Sequence, residues 1–372
     1  MANITFLIGN GFDLHFDLKT KYTHFYEKYI LQPSDNELIQ RFKELILLDS
    51  KQKWVNWSDF EVGMGKKSTC FDSKAEDFIE CFSDFVKNFN EYLERECNNI
   101  DWPKVTHDMR VEFVNSLICF RDKFNTTLSK PIANLVRCSP GYGGKISFLQ
   151  FNYTDTFERL IRTSESILLS RIKQTEKNYG VNSLGENLQV HGKIGKYPVI
   201  GVSDASQILD KIIRENQSVI DLFIKPNYLD IIQNKTVNEL IDARKAINVI
   251  ESSTIICIFG ASIGDTDKHW WQPIGEWLKE LDKRLIIFDI CGEDDDGFSP
   301  QSVLQRRNEV ANKTQLLIDN FIRNTSWTEE DANNNRDKII VELDSKMFDF
   351  KLPKKNEDML DSDKIETMLA KI

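Results

Sequence analysis

Five short stretches carry side chains suited to chemistry, and each lies beside an apolar run. The first is Gly9-Asn10-Gly11-Phe12-Asp13. Glycines at a strand-to-helix turn let the backbone approach a ligand, and a helix N-terminus offers unpaired N–H groups to a phosphate. The plainer reading is a tight turn with Asp13 as a first-turn carboxylate, and the motif alone does not separate the two. Position favours a ligand, because the first strand-helix turn of an open α/β sheet lies at the carboxyl edge where ligands bind. The six-residue G-x-G-x-x-G of dehydrogenases is absent, and Gly143-Gly144-Lys145 does not complete a Walker P-loop.

The second stretch is Gln150-Phe151-Asn152-Tyr153-Thr154-Asp155. An Asn at a strand's carboxyl end offers both a donor and an acceptor to a ribose or a water. Either Thr154 or Asn152 could instead be the ordinary N-cap of a helix from Asp155 to Arg162, a reading that suits Thr154 better than Asn152. The third is Val190-His191-Gly192, where an imidazole, the natural base near neutral pH, is followed by a residue that leaves it uncovered. A lone histidine is more often structural, yet of the five (15, 24, 107, 191, 269) His191 has the most site-like setting.

The fourth is Phe259-Gly260-Ala261-Ser262-Ile263-Gly264-Asp265-Thr266-Asp267. Small side chains bring amides near a ligand, while Asp265 or Asp267 could accept from ribose hydroxyls; both Asp residues could instead cap the next helix. In the fifth, Trp54, Trp57, Asp59, Phe60 and Glu61, the carboxylate of Glu61 could line a site and the aromatics read as core.

These groups need a scaffold that gathers them. Ile4 to Ile8 reads as a strand, followed by a helical pattern from Leu14 to Tyr29. Asn36 to Leu48, Lys74 to Cys97 and Asp108 to Val136 read as amphipathic helices. Strand signals return at Lys145 to Phe151, Leu188 to Val190, Tyr197 to Val202, Ser253 to Phe259, Arg284 to Ile290 and Lys338 to Leu343, with helices within Ala205 to Ile250 and from Asp267 to Leu281. Short apolar strands alternating with helices predict an α/β fold, a doubly wound and mostly parallel sheet of Rossmann-like type. Residues 1–35 and 140–345 would form the nucleotide-binding core, 36–139 a large helical insertion, and 346–372 a C-terminal tail whose last twenty residues are expected to be mobile. Parallel strands share one carboxyl edge, so the strand-end groups should converge there.

Bulk properties narrow the chemistry. The 372 residues carry 48 Lys+Arg against 58 Asp+Glu, a net charge of -10 that disfavours nucleic acid and anionic membranes as partners. Seven widely spaced cysteines without a C-x-x-C pair speak against a zinc knuckle or disulfide framework, so no metal is expected. No signal-peptide pattern or apolar span is present, and the expected location is the cytoplasm.

Taken in order, I-G-N-G-F-D-L at Ile8 to Leu14, W-S-D-F-E at Trp57 to Glu61, F-N-Y-T at Phe151 to Thr154, H-G at His191 and Gly192, and F-G-x-S-x-G-x-T-D at Phe259 to Asp267 resemble the abortive-infection AbiH family of bacterial phage-defence proteins. The same order is more distantly similar to sirtuin-like NAD-binding domains. That likeness implies NAD as the substrate and Asn152 and His191 as the catalytic pair, with Asp13 or Glu61 offsetting positive charge. Gly9, Asn10, Gly11, Phe12, Tyr153, Thr154, Gly260, Ser262, Asp265 and Asp267 would surround the dinucleotide. Two departures limit it: the first loop reads G-N-G-F-D where sirtuins have G-A-G-x-S, and the four-cysteine zinc module has no counterpart, which disfavours deacetylation.

The implied activity is an NAD glycohydrolase acting as a toxic effector in infected cells, answering to a protein trigger or partner subunit through the helical insertion; a homo-oligomer is a further expectation. Two alternatives stand beside it: a metal-dependent nuclease built on Asp13, Glu61, Asp265 and Asp267, and a nucleotide sensor or interaction protein without catalysis.

Overall fold

The computed structural model of the chain describes residues 3–51, 60–124, 144–195, 198–235, 243–291 and 300–355. Trp54, Trp57, Asp59, residues 125–136 and most of the C-terminal twenty residues lie outside them; the helix expected from Asp108 to Val136 ends at Ile118. Six strands form one sheet: β1 (Ile4–Ile8), β2 (Gly144–Gln150), β3 (Val181–Gln189), β4 (Ile255–Phe259), β5 (Arg284–Asp289) and β6 (Ile339–Leu343). Their order is β3-β2-β1-β4-β5-β6 and every neighbouring pair is parallel. This is the expected doubly wound α/β class, in the Rossmann strand order.

The continuous apolar runs of β1, β4 and β5 are explained by helices on both faces. Phe6 and Ile8, with Phe148, Cys257 and Ile286, point to one face, packed under helices His107–Ile118 and Thr156–Tyr179. The alternate residues Leu7, Leu149, Ile256, Ile258 and Ile287 point to the other, against helices Ala243–Ser252, Lys268–Leu278 and Pro300–Asn324. Trp270 and Trp271 fill that second layer. A third apolar core joins helices Tyr22–Leu31, Phe60–Lys66 and Ala75–Asn98 to the later segment containing Ile200, Phe223 and Ile224.

Several elements differ from the sequence reading. The Leu14–Tyr29 helix is broken: one turn spans Gly11–His15, Asp17 has φ 57, and helix resumes at Tyr22. β3 begins at Val181, seven residues before its recognised signal, because as an edge strand it is largely polar and half-exposed. The described part of Tyr197 to Val202 is not a strand of the sheet; Val202 makes an isolated parallel bridge to Ile224. Helix His107–Ile118 covers the sheet itself, so the later part of the helical block belongs to the α/β layers. Met347, Phe348 and Leu352, in the segment read as tail, are buried in the first core, and Lys354 bridges to Ile100. Among the described residues no helix is long and apolar enough to cross a membrane.

Candidate functional site

The strand order places the turns after β1 and β4 side by side, and there they interlock. Gly9 N donates to Phe259 O at 2.9 Å and Gly11 N to Gly260 O at 2.7 Å. A Cβ on Gly9 would lie 2.2 Å from Ala261 Cα, and one on Gly260, whose φ is +65°, would lie 2.5 Å from Gly11 Cα. The glycines serve loop-to-loop packing, and the amides of Gly9 and Gly11 are not the open phosphate cradle expected of them. Asn10 turns its side chain to Thr20, accepting from its hydroxyl at 2.6 Å and donating to its carbonyl at 3.2 Å. Phe12 is core, with ring centroids 5.1 Å from Phe16, 5.2 Å from Phe157 and 5.0 Å from Phe348.

Beyond this lock lie two buried polar groupings. Phe151 N pairs with Ile8 O and Val190 N with Gln150 O, extending the ladder so that Asn152 and His191 sit just past their strands. Asp13, fully buried, accepts on Oδ2 from Thr154 Oγ1 at 2.5 Å and from Asn152 Nδ2 at 3.3 Å. Thr154 is thus a carboxylate partner here. Burial pushes the Asp13 carboxyl up to about 7, with the Thr154 hydrogen bond offsetting part of that rise. Asp13 Oδ1 and Asn152 Oδ1 are both buried without a hydrogen-bond partner among the described residues.

The second grouping joins three distant segments. Lys225, at the start of helix Lys225–Lys235, is buried with its Nζ 2.9 Å from Glu61 Oε2 and 2.8 Å from Asp267 Oδ1. The same Asp267 oxygen lies 3.0 Å from His191 Nε2. Burial alone would raise the Asp267 pKa, but Lys225 and His191 outweigh it and hold the carboxyl well below the usual carboxylate range. Burial likewise opposes charge on Lys225, and Asp267 and Glu61 overcome it, raising its pKa. Glu61 Oε1 accepts from Gly201 N at 3.2 Å, and Tyr153 OH lies 3.4 Å from it while reaching Val199 O at 3.2 Å. The rings of Tyr153 and Phe151 pack on His191, with centroids 6.1 and 4.9 Å away.

Of the expected site residues, Asp13, Asn152, Tyr153, Thr154, His191, Glu61 and Asp267 are therefore engaged in these groupings. Ser262 is exposed at the same edge, Gly260 belongs to the interlocked turns, and Asp265 is half-buried with its Oδ1 3.7 Å from Arg323. The four carboxylates of a nuclease centre do not converge: Asp13 is held by Thr154 and Asn152, Glu61 and Asp267 share the Lys225 ammonium, and Asp265 stands apart. Among the described residues no three His, Cys, Asp or Glu are grouped to hold a metal ion.

Sequence reasoning missed Lys225, Ser203 and His269. Ser203 Oγ accepts from His269 N at 3.1 Å and lies 3.3 Å from Nδ1, while burial pushes the His269 pKa down to about 3 against the pull of Asp267. The one local signal for Lys225 is a lysine directly after Leu222-Phe223-Ile224 and before Pro226, where a solvated cation is out of place.

Residues 5–289 match the family model described as bacteriophage abortive infection AbiH. No curated protein matches the chain. The ordered motifs, the parallel sheet that gathers them and a match over most of its length agree: the chain belongs to the AbiH family of phage abortive-infection proteins.

Proposed function

We propose that this abortive-infection protein acts by hydrolysing NAD, or a related nucleotide, at the nicotinamide–ribose bond. The observation that carries the reading is the buried collection of Asp13, Asn152, His191 and Asp267 just past the ends of β1 to β4. Unpartnered Asp13 Oδ1 and Asn152 Oδ1 add to it, because buried polar atoms without partners mark where a ligand's hydroxyls would be received.

Nicotinamide leaves as a neutral base from a cationic glycoside, so no strong acid is required. The work is to hold the ribose, stabilise an oxocarbenium-like centre and position water. Asn152 orients the ribose hydroxyls or the water, and ionised Asp13 offsets the developing positive charge. His191, backed by Asp267, takes the proton as the water oxygen bonds to the anomeric carbon and the C–N bond breaks; ADP-ribose, nicotinamide and that proton are the products. With the Gly9 and Gly11 amides committed to the neighbouring turn, the pyrophosphate would lie toward Ser262. Glu61 serves here as the counter-ion of Lys225.

The test is nicotinamide release from NAD by purified protein, alone and with phage-infected lysate. Release that is lost in His191→Ala and Asn152→Ala is expected. No release in either state, or undiminished release by His191→Ala, overturns the proposal, and NAD binding without release favours the nucleotide-sensing alternative.

A further inference from the structure

Glu61 lies on a helix of the helical block, Lys225 follows the Val202–Ile224 bridge, and Asp267 ends the turn after β4. Their side chains form one continuous chain, Glu61 to Lys225 at 2.9 Å, Lys225 to Asp267 at 2.8 Å, and the same Asp267 oxygen to His191 at 3.0 Å. We propose that Lys225 is a positioning residue through which the helical block sets the protonation and orientation of His191.

The argument is one of competition for a single atom. Asp267 Oδ1 faces both an ammonium and an imidazole, so the closer Lys225 is held to Asp267, the less of that oxygen's charge favours a proton on His191. Glu61 pulls the ammonium the other way. It is fixed by the amide of Gly201 and lies within reach of Tyr153, so the balance depends on how the helix Phe60–Lys66 sits against residues 199–225. A partner that displaced this helix would let Lys225 settle wholly on Asp267 and change His191 without touching it. The titratable groups around His191 are Asp267, Lys225 behind it, Tyr153 stacked on the ring, Glu61 beyond Lys225, and His269 two residues from Asp267. Burial keeps Tyr153 protonated, with Glu61 reinforcing it, and His269 neutral, so neither adds charge near neutral pH.

His191 as the reacting imidazole rests on the function proposed above, whereas the hold of Lys225 on it does not; the test therefore reads the ring directly by NMR titration in full-length protein, without turnover. In Lys225→Met, the midpoint of the His191 ring signals is expected to move up, because Asp267 then faces the imidazole alone. Lys225→Arg, which keeps the charge, should leave the midpoint close to that of the unaltered protein. Glu61→Gln should move the midpoint down although Glu61 does not touch His191, and this variant decides the matter if Lys225→Met fails to fold. A His191 midpoint unchanged in Glu61→Gln, or a Lys225→Met shift that Lys225→Arg shows as well, overturns the proposal. Correct shifts in a protein that releases no nicotinamide would uphold Lys225 and reject the NAD reading.

Discussion

Gly9 and Ala261 touch so closely that a β-carbon on Gly9 would lie 2.2 Å from the Ala261 α-carbon. The contact is backbone against backbone, so no side-chain rotation relieves it. Gly9→Ala and Gly260→Ala should each destabilise the fold by about 1–3 kcal/mol or more, the second also through its left-handed φ of +65°. Urea unfolding checks this; an alanine tolerated at Gly9 would mean the two turns can separate, reopening the amides to a ligand.

Asp13 should give the protein a pH dependence opposite in sign to that of a salt-bridged carboxylate. Its pKa is raised from 3.8 to about 7. The folded state therefore binds the proton more tightly, and the associated stability is complete below the unfolded value and lost as pH rises through about 7. The ceiling is about 4 kcal/mol between about pH 4 and pH 8. Asp13→Asn, which cannot ionise, should gain on the wild type over that range in urea unfolding. Because the proposed chemistry uses the ionised form, nicotinamide release should rise with pH through the same region and lose that inflection in the variant.

Lys225→Met should cost about 3–5 kcal/mol in unfolding free energy, since it removes the one buried cation that Glu61 and Asp267 share. Adding Glu61→Gln should recover part of the loss. If the double variant is no better than Lys225→Met, the two carboxylates are not sharing one cation.

Phe348 should behave as a core residue. Fully buried, its ring lies 5.0 Å from Phe12, 4.9 Å from Phe259 and 5.7 Å from Phe113, and its carbonyl lies 2.8 Å from His15 Nε2. Phe348→Ala should cost about 3–5 kcal/mol, read as a fall in the urea midpoint. A surface-like effect below about 0.5 kcal/mol would show that the segment is dispensable for the fold.

By itself the sequence determined the class of fold and the edge where polar groups meet. Short apolar runs at Ile4, Lys145, Ser253 and Arg284 are legible because strands covered on both faces must be apolar throughout, and parallel strands deliver their following residues to one edge. That logic brought Asp13 to Asn152, and His191 to Asp267, at that edge. It could not see β3 before Leu188, where an edge strand keeps polar residues, nor that Phe348 is core.

Only the tertiary structure decided what each group does at that edge. Gly9 and Gly11 carry the same local signal whether they face a phosphate or another turn, and the turn after β4, at Gly260 and Ala261, settles it by filling the space. Lys225 has no motif, because its partners lie 164 and 42 residues away in sequence. A buried cation is defined by the carboxylates that surround it, and chain order does not reveal which carboxylates will be near.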